Sequence, residues 1–459
     1  MSEPRSILER IEADQIRIVD FRFTDLSGSW RHIARNAAAV TEHCLADGIM
    51  IDGSAVPGWR DVTEADLLLH PDLESAFLDP FAAQPTLALV CNGADPATGT
   101  GYERDPRSAA QRAETYLASL RKADSVRVAI ELAFYLFDEL RAEVAPHRTS
   151  VELVPLEPRR QTAGPGLSGG YLASSPADQA TDIRGEIATV LASIGLVDLR
   201  FEHGRGAGQN VIHLPAASLV RSADAVQTVR YAVHQVAMSY GKAATFLPKP
   251  MQGRPASGCA VLQSLWRDGK PVFAGQGYAD LSPLCLAFIA GVLAHGRALG
   301  AFTNPSTNSY RRLRQDEEEP TVLAYAAHNR SAAIRIPYAS RVEGKRIEAR
   351  FPDATANPYL AFAALLMAGM DGIERKLEPG DAIDRNLYDL RPEEAADLVR
   401  LPRSLPDALD ALEADHDFLT RGDVMPTDLI EAYLQVKRQE LDRVERAPHP
   451  IEFELYAGY

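Results

Sequence analysis

Residues 126–140 alternate so that Val128, Ile130, Leu132, Phe134 and Leu136 share one face of an extended strand, while Ala129, Glu131, Ala133 and Tyr135 share the other. The first set predicts a strand buried on that side, so Glu131 points away from the apolar face. Shorter extended runs at 17–23 and 86–90, set among Gly, Asp and Pro turns, predict a small sheet in the first hundred residues. Beyond 102–108, positions 109–123 take the spacing of an amphipathic helix that Ser108 is placed to cap. A division near residue 104 follows, with a smaller unit at 1–104 and a larger one at 105–459. Residues 142–168 carry Pro, Gly and Arg without a clear period and predict a surface excursion. The later chain is patterned mostly for helix, most clearly at 392–399 and 428–444.

Composition narrows the function. The 459 residues include 48 basic and 63 acidic side chains, a formal charge of -15, which disfavours nucleic acid or an anionic membrane as partner. Small molecules or further subunits are expected instead. The longest apolar stretches, 284–294 and 359–370, fall short of the roughly 20 residues a bilayer-spanning helix needs, and 1–14 lacks the apolar core of a signal peptide. Cys44, Cys91, Cys259 and Cys285 are too scattered for a disulfide framework or a paired zinc knuckle, so a cytoplasmic location is expected.

The sharpest chemical pattern is Arg346-Ile347-Glu348-Ala349-Arg350-Phe351, which as a strand sets Arg346, Glu348 and Arg350 on one face. Two guanidinium groups beside a carboxylate suit an anionic ligand with a cation next to it; a salt-bridged surface strand has the same pattern. Arg312, Arg330 and Arg335 lie upstream. Asp52-Gly53-Ser54, Ala207-Gly208-Gln209-Asn210 and Asn357-Pro358-Tyr359 are by themselves turn or helix-entry signals.

Taken together and in order, Met50 to Ser54, Gly206 to Asn210, Phe246 to Met251, Thr303-Asn304-Pro305, Asn329-Arg330-Ser331, Arg346 to Asp353 and Asn386 to Leu390 resemble bacterial type I glutamine synthetase, with its spacing, along nearly the whole chain. The resemblance implies an α+β fold: an N-terminal β-grasp-like domain at 1–104, then a catalytic domain with a curved antiparallel sheet at 105–459. It implies a carbon–nitrogen ligase using ATP with Mg²⁺ or Mn²⁺, in dodecamers whose active sites lie between neighbouring subunits. Asp52 matches the acid that helps deprotonate ammonium and Tyr171 a residue near it. Arg312 and Arg350 match the holders of the glutamate carboxylates, Arg330 and Arg335 the stabilisers of the transferring phosphoryl group, Arg346 a nucleotide contact and Glu318 the flap acid. Tyr388 matches a tyrosine that the family modifies.

The departures cluster at the metal positions. Where the family has six ligands for two cations, this chain has Glu131, Ala133, His203, Val211, Ala260 and Glu348. Divalent ions that bridge phosphates need oxygen-rich ligand sets, which alanine and valine do not supply. A strand through Val211 would give His213 the same face, so Glu131, His203, His213 and Glu348 could converge on one ion. The expectation is therefore an enzyme of this lineage with altered or absent metal dependence that does not carry out ordinary glutamine synthesis; the alternative is an inactive, ligand-binding or assembly relative.

Overall fold

The computed structural model describes residues 3–145, 147–157, 170–314, 319–395 and 397–456. Glu318, and the part of the expected surface excursion at 158–168, lie outside the described residues. After helix α1 (Pro4–Ala13), the N-terminal part forms β1 (Ile18–Thr24), β2 (Trp30–Asn36), α2 (Glu42–Asp47), β3 (Ile49–Asp52), β4 (Asp66–Leu78) and β5 (Thr86–Ala94). These make a five-stranded sheet in the order β2-β1-β5-β4-β3, with β1 and β5 parallel, the β-grasp arrangement. Both predicted strands are present in it.

Next comes α3 (Pro106–Ser119), capped by Asp105, which accepts from the Ser108 amide at 2.8 Å. The cap is thus three residues earlier than Ser108, because Pro106 suits the first helical turn. Strand β6 (Ser125–Ala145) runs 21 residues and turns into β7 (Arg148–Pro155). The predicted excursion is corrected here: residues 142–145 pair with β7 at 148–155.

The sheet is completed around α4 (Thr181–Ser193), β8 (Arg200–His203), β9 (Gln209–Ala217), α5 (Leu219–Ser239), β10 (Ala243–Thr245), β11 (Cys259–Arg267) and β12 (Lys270–Pro271). Helices α6 (Pro283–Ala294), α7 (Gly296–Thr303) and α8 (Ser309–Arg312) lead to β13 (Tyr325–Ala327), β14 (Ile334–Ile336) and β15 (Ile347–Ala349). The main path of this ten-stranded, curved and largely antiparallel sheet is β13-β14-β15-β11-β6-β9-β8. Its convex side is the apolar one, with Val128, Ile130, Leu132, Phe134 and Leu136 each no more than 1% exposed. Burial of this kind is worth about 1.5–3 kcal/mol per large aliphatic side chain and holds the strand in register.

The helical layer continues with α9 (Pro358–Arg375), entered through Asn357 and Pro358, then α10 (Pro392–Ala395), α11 (Leu405–Ala414), α12 (Asp417–Thr420), α13 (Thr427–Glu445) and α14 (Pro450–Tyr456). The helix expected at 428–444 is α13; that expected at 392–399 ends at Ala395. Among the described residues no single helix is long and apolar enough to cross a membrane.

Candidate active site on the concave sheet face

Residues directly opposed in a sheet share a face, so the register defines the site. Glu131 is opposed by His213 on one side and Ala260 on the other. Ala133 opposes Val211, which opposes Glu202; Arg200 opposes His213. Leu262 opposes both Ala129 and Glu348, and Glu348 opposes Arg335. One concave strip therefore runs from Arg335 and Glu348 through Glu131 to His213 and Glu202.

Its two ends differ in charge. At one end Arg335 Nη1 donates to Glu348 Oε2 and Arg350 Nη1 to Glu348 Oε1, each at 2.6 Å, around a carboxylate that is almost wholly buried. Burial disfavours the Arg350 charge, but Glu348 and then Glu319 outweigh it and hold that guanidinium above its ordinary pKa. At the other end His213 Nδ1 is 3.7 Å from Glu131, its Nε2 is 3.5 Å from Glu202, and Arg200 Nη2 is 2.8 Å from Nε2. Desolvation raises the Glu131 pKa; His213 pulls it down and Glu348 adds to the rise. The Tyr171 hydroxyl, on an exposed side chain, is hydrogen-bonded to Glu202, and desolvation followed by that carboxylate raises its pKa.

Of the other sequence-derived residues, Arg330 lines an open cleft of about 700 Å³ with Tyr278, Asn329 and Tyr388, and its carbonyl accepts from Arg350 Nε and from the Tyr388 hydroxyl. Arg346 donates to the Gly344 carbonyl at 2.9 Å. Arg312 is buried, and its guanidinium binds Glu319 at 2.7 Å and the carbonyls of Arg350, Phe351 and Pro352. Asp52 is exposed on the N-terminal sheet, where its carboxylate accepts from the Ser54 amide and hydroxyl; those bonds lower its pKa.

His203 is a correction. It opposes Asn210, one position out of phase with Val211, and so turns to the other face of β8. There its Nε2 meets Glu157 at 3.0 Å and its Nδ1 the Gly204 carbonyl. Glu157, Asp178 and His203 are the one buried group among the described residues whose donor atoms lie within 4.8 Å of one another. That cluster is already satisfied: Arg184 binds Asp178, and Glu157 accepts the amides of Gln179 and Gly208. Gly208 itself sits at φ +74°, where a Cβ would lie 2.7 Å from the Leu136 carbonyl oxygen. Sequence reasoning missed Glu202, which takes the face expected for His203; only the β8–β9 register reveals it.

The resemblance assigns six positions to two cations. Ala133, Val211 and Ala260 offer no donor, His203 faces away, and both oxygens of Glu348 are engaged by guanidinium groups. The residues present do not fit a six-ligand, two-cation set.

The fold joins a five-stranded N-terminal sheet to a ten-stranded sheet that carries this strip. Residues 15–96 match the family model "Glutamine synthetase, beta-Grasp domain" and residues 103–456 match "Glutamine synthetase, catalytic domain". The chain belongs to the glutamine synthetase family. It is 45% identical to a glutamine synthetase of Rhizobium meliloti (strain 1021) over 99% of both chains, and 46% identical to one of Pseudomonas aeruginosa over 97% of this chain and 98% of that one. In structure it resembles a Plasmodium falciparum glutamine synthetase, with a TM-score of 0.89, 24% identity and 99% of each chain covered.

These likenesses correct the functional expectation drawn from the sequence. A divergent enzyme outside ordinary glutamine synthesis, or an inactive relative, does not agree with 45% identity sustained over 99% of the chain to curated glutamine synthetases.

Proposed function

We propose that this chain is a glutamate–ammonia ligase that forms glutamine at the expense of ATP. The observation that carries the reading is the full-length identity to curated glutamine synthetases. The polarity of the concave strip supports it. Arg335 and Arg350 at one end suit phosphate and carboxylate oxygens, because guanidinium forks bind such groups in two-point fashion. Glu131 and Glu202 at the other end suit an ammonium ion.

From β15 to β8 the strip crosses four inter-strand steps, about 19 Å at the usual spacing, which accommodates an extended amino-acid substrate. In this reading Tyr171 orients Glu202, Glu131, whose pKa burial raises, faces the ammonium end as a proton acceptor, and the arginines neutralise charge on the anionic partner. The family implies ATP and a divalent metal as cofactors. A homo-oligomer, the dodecamer of the family, in which Asp52 reaches a neighbouring subunit's site, and a cytoplasmic location complete the proposal.

The test is direct. Purified protein with glutamate, ammonia, ATP and Mg²⁺ or Mn²⁺ is expected to yield glutamine and phosphate in equal amounts. No glutamine above the enzyme-free control with either ion would overturn the proposal.

A further inference from the structure

Strand β15 ends at Ala349, so the carbonyls of Arg350, Phe351 and Pro352 lie beyond its ladder and need donors from elsewhere. One side chain reaches all three. Arg312 Nη2 donates to the Arg350 carbonyl at 2.8 Å, and Nη1 donates to those of Phe351 and Pro352 at 2.7 and 3.1 Å. Asn304 Nδ2 adds a bond to the Phe351 carbonyl, the Cys259 amide one to that of Pro352, and the Arg350 amide donates to the Ala333 carbonyl at 2.9 Å. The backbone that carries Arg350 is thereby tied down on both sides.

The Arg312 fork is itself fixed. Glu319 accepts from Nη2 at 2.7 Å, and both members of this ion pair are buried, at 2% exposure for Arg312 and 7% for Glu319. Gly258 lies against the guanidinium, where a Cβ would sit 2.8 Å from Nη2 and 3.3 Å from Cζ. The Gly258 carbonyl also accepts the Ala133 amide at 3.0 Å, so the fork is wedged against the sheet that carries the concave strip. From this anchored stretch the half-buried Arg350 side chain reaches Glu348 with Nη1 and the Arg330 carbonyl with Nε. Burial works against its charge, Glu348 favours that charge most and Glu319 next. Both terminal nitrogens of Arg312 are spent on the chain itself, in a place almost closed to solvent, whereas Arg350 stands at the strip.

We propose that Arg312 and Glu319 are positioning residues, a buried clamp that sets Arg350 for the anionic substrate while Arg312 itself stays off that substrate. The inference rests on the proposed ligase reaction, in which Arg350 meets the anionic partner. It parts the two arginines that the resemblance gives jointly to the glutamate carboxylates: Arg350 makes the contact, and Arg312 with Glu319 fixes the backbone from which Arg350 extends.

Steady-state kinetics and crystal structures of the full-length chain test the clamp. In E319Q the fork keeps an acceptor but loses the charge that fixes it; in G258A the added Cβ displaces the fork and alters no charged group. Each is expected to raise the KM for glutamate about ten-fold, within the range that a misplacement of about 1 Å near a reacting group produces. In an R350A background, where the positioned group is gone, adding E319Q should change that KM by less than about two-fold, because residues that act as one unit are not additive. A wild-type KM in E319Q, or effects of E319Q and R350A that multiply, would overturn the proposal. Should E319Q not fold, G258A carries the same measurements. The crystal structures decide the clamp without turnover: Arg350 Nη1 drawn away from its 2.6 Å contact with Glu348 in G258A supports it, and an unmoved Arg350 sinks it. Absence of glutamine from the wild-type chain would remove the ligase reading and leave this structural readout standing.

Discussion

Arg335 and Arg350 grip a single carboxylate: each donates from Nη1, at 2.6 Å, to a different oxygen of Glu348. Removing that acceptor leaves two guanidinium groups facing each other in a partly buried setting. Glu348→Ala is therefore expected to cost about 2–4 kcal/mol, read as a lower urea midpoint. Glu348→Gln keeps the shape but not the charge, and should lower glutamine formation by about 100-fold, the scale of a lost electrostatic contact in an active site. An unchanged rate would separate the ion pair from the reaction.

His295 sits where α6 and α7 meet at 73° and gives both ring nitrogens to acids, Nε2 to Asp371 and Nδ1 to Asp415, each at 2.8 Å. Phe418 stacks on the ring at 3.9 Å, and Arg375, Arg421 and Glu374 surround the Asp371 end. Burial alone would lower this histidine's pKa; the two carboxylates outweigh it, and the net shift is upward. A raised folded-state value means the stabilisation is complete below the unfolded pKa of about 6.5 and fades as pH climbs through the higher folded value. Urea midpoints measured from pH 5.5 to 9 should fall on the alkaline side, and His295→Asn should flatten that slope. An identical slope in the variant would assign the effect elsewhere.

The contrast between what the chain announced and what it concealed has a physical basis. The β6 alternation was legible because Val128, Ile130 and Leu132 are sealed while Ala129 and Glu131 between them are less buried, so period two appears as apolar against more open positions. The pairing of 142–145 with 148–155 was not: Arg141, Glu143, Arg148 and Glu152 are exposed, and a strand pair with no buried face carries no hydrophobic period. Glu348 and Glu131 were found from local pattern and resemblance. Glu202 was not, because whether it or His203 looks inward depends on pairing with Asn210 and Val211 across the sheet. Arg312 was legible as a buried cation only in three dimensions, where carbonyls from 350–352 converge on it.

Asp52 offers a test of assembly. Its carboxylate is exposed, and among the described residues it accepts bonds from its own loop, Ser54 and Ala55. Asp52→Asn should leave the melting temperature of the isolated chain unchanged while reducing glutamine formation, because its partner in the proposed reaction would be another subunit's site. Light scattering on the same samples should report an oligomer. A monomer with full activity would remove Asp52 from the site altogether.

The concave strip can itself be tested by adding donors. Ala133 and Val211 are opposed in register and each 8% exposed, so glutamates placed there would lie about 5 Å apart at Cβ on one face. Two carboxylates that close repel and lose solvent, and Ala133→Glu with Val211→Glu should cost about 2–4 kcal/mol in the presence of a chelator. A divalent cation neutralises both at once, so Mn²⁺ should restore much of the lost melting temperature in the double variant and raise it far less in the parent chain. The single variants, each with one added carboxylate near Glu131 or Glu202, should show a smaller ion-dependent shift. If the double variant melts at one temperature with and without Mn²⁺, the two positions do not share a face, and the register from which the strip was built is wrong at its centre.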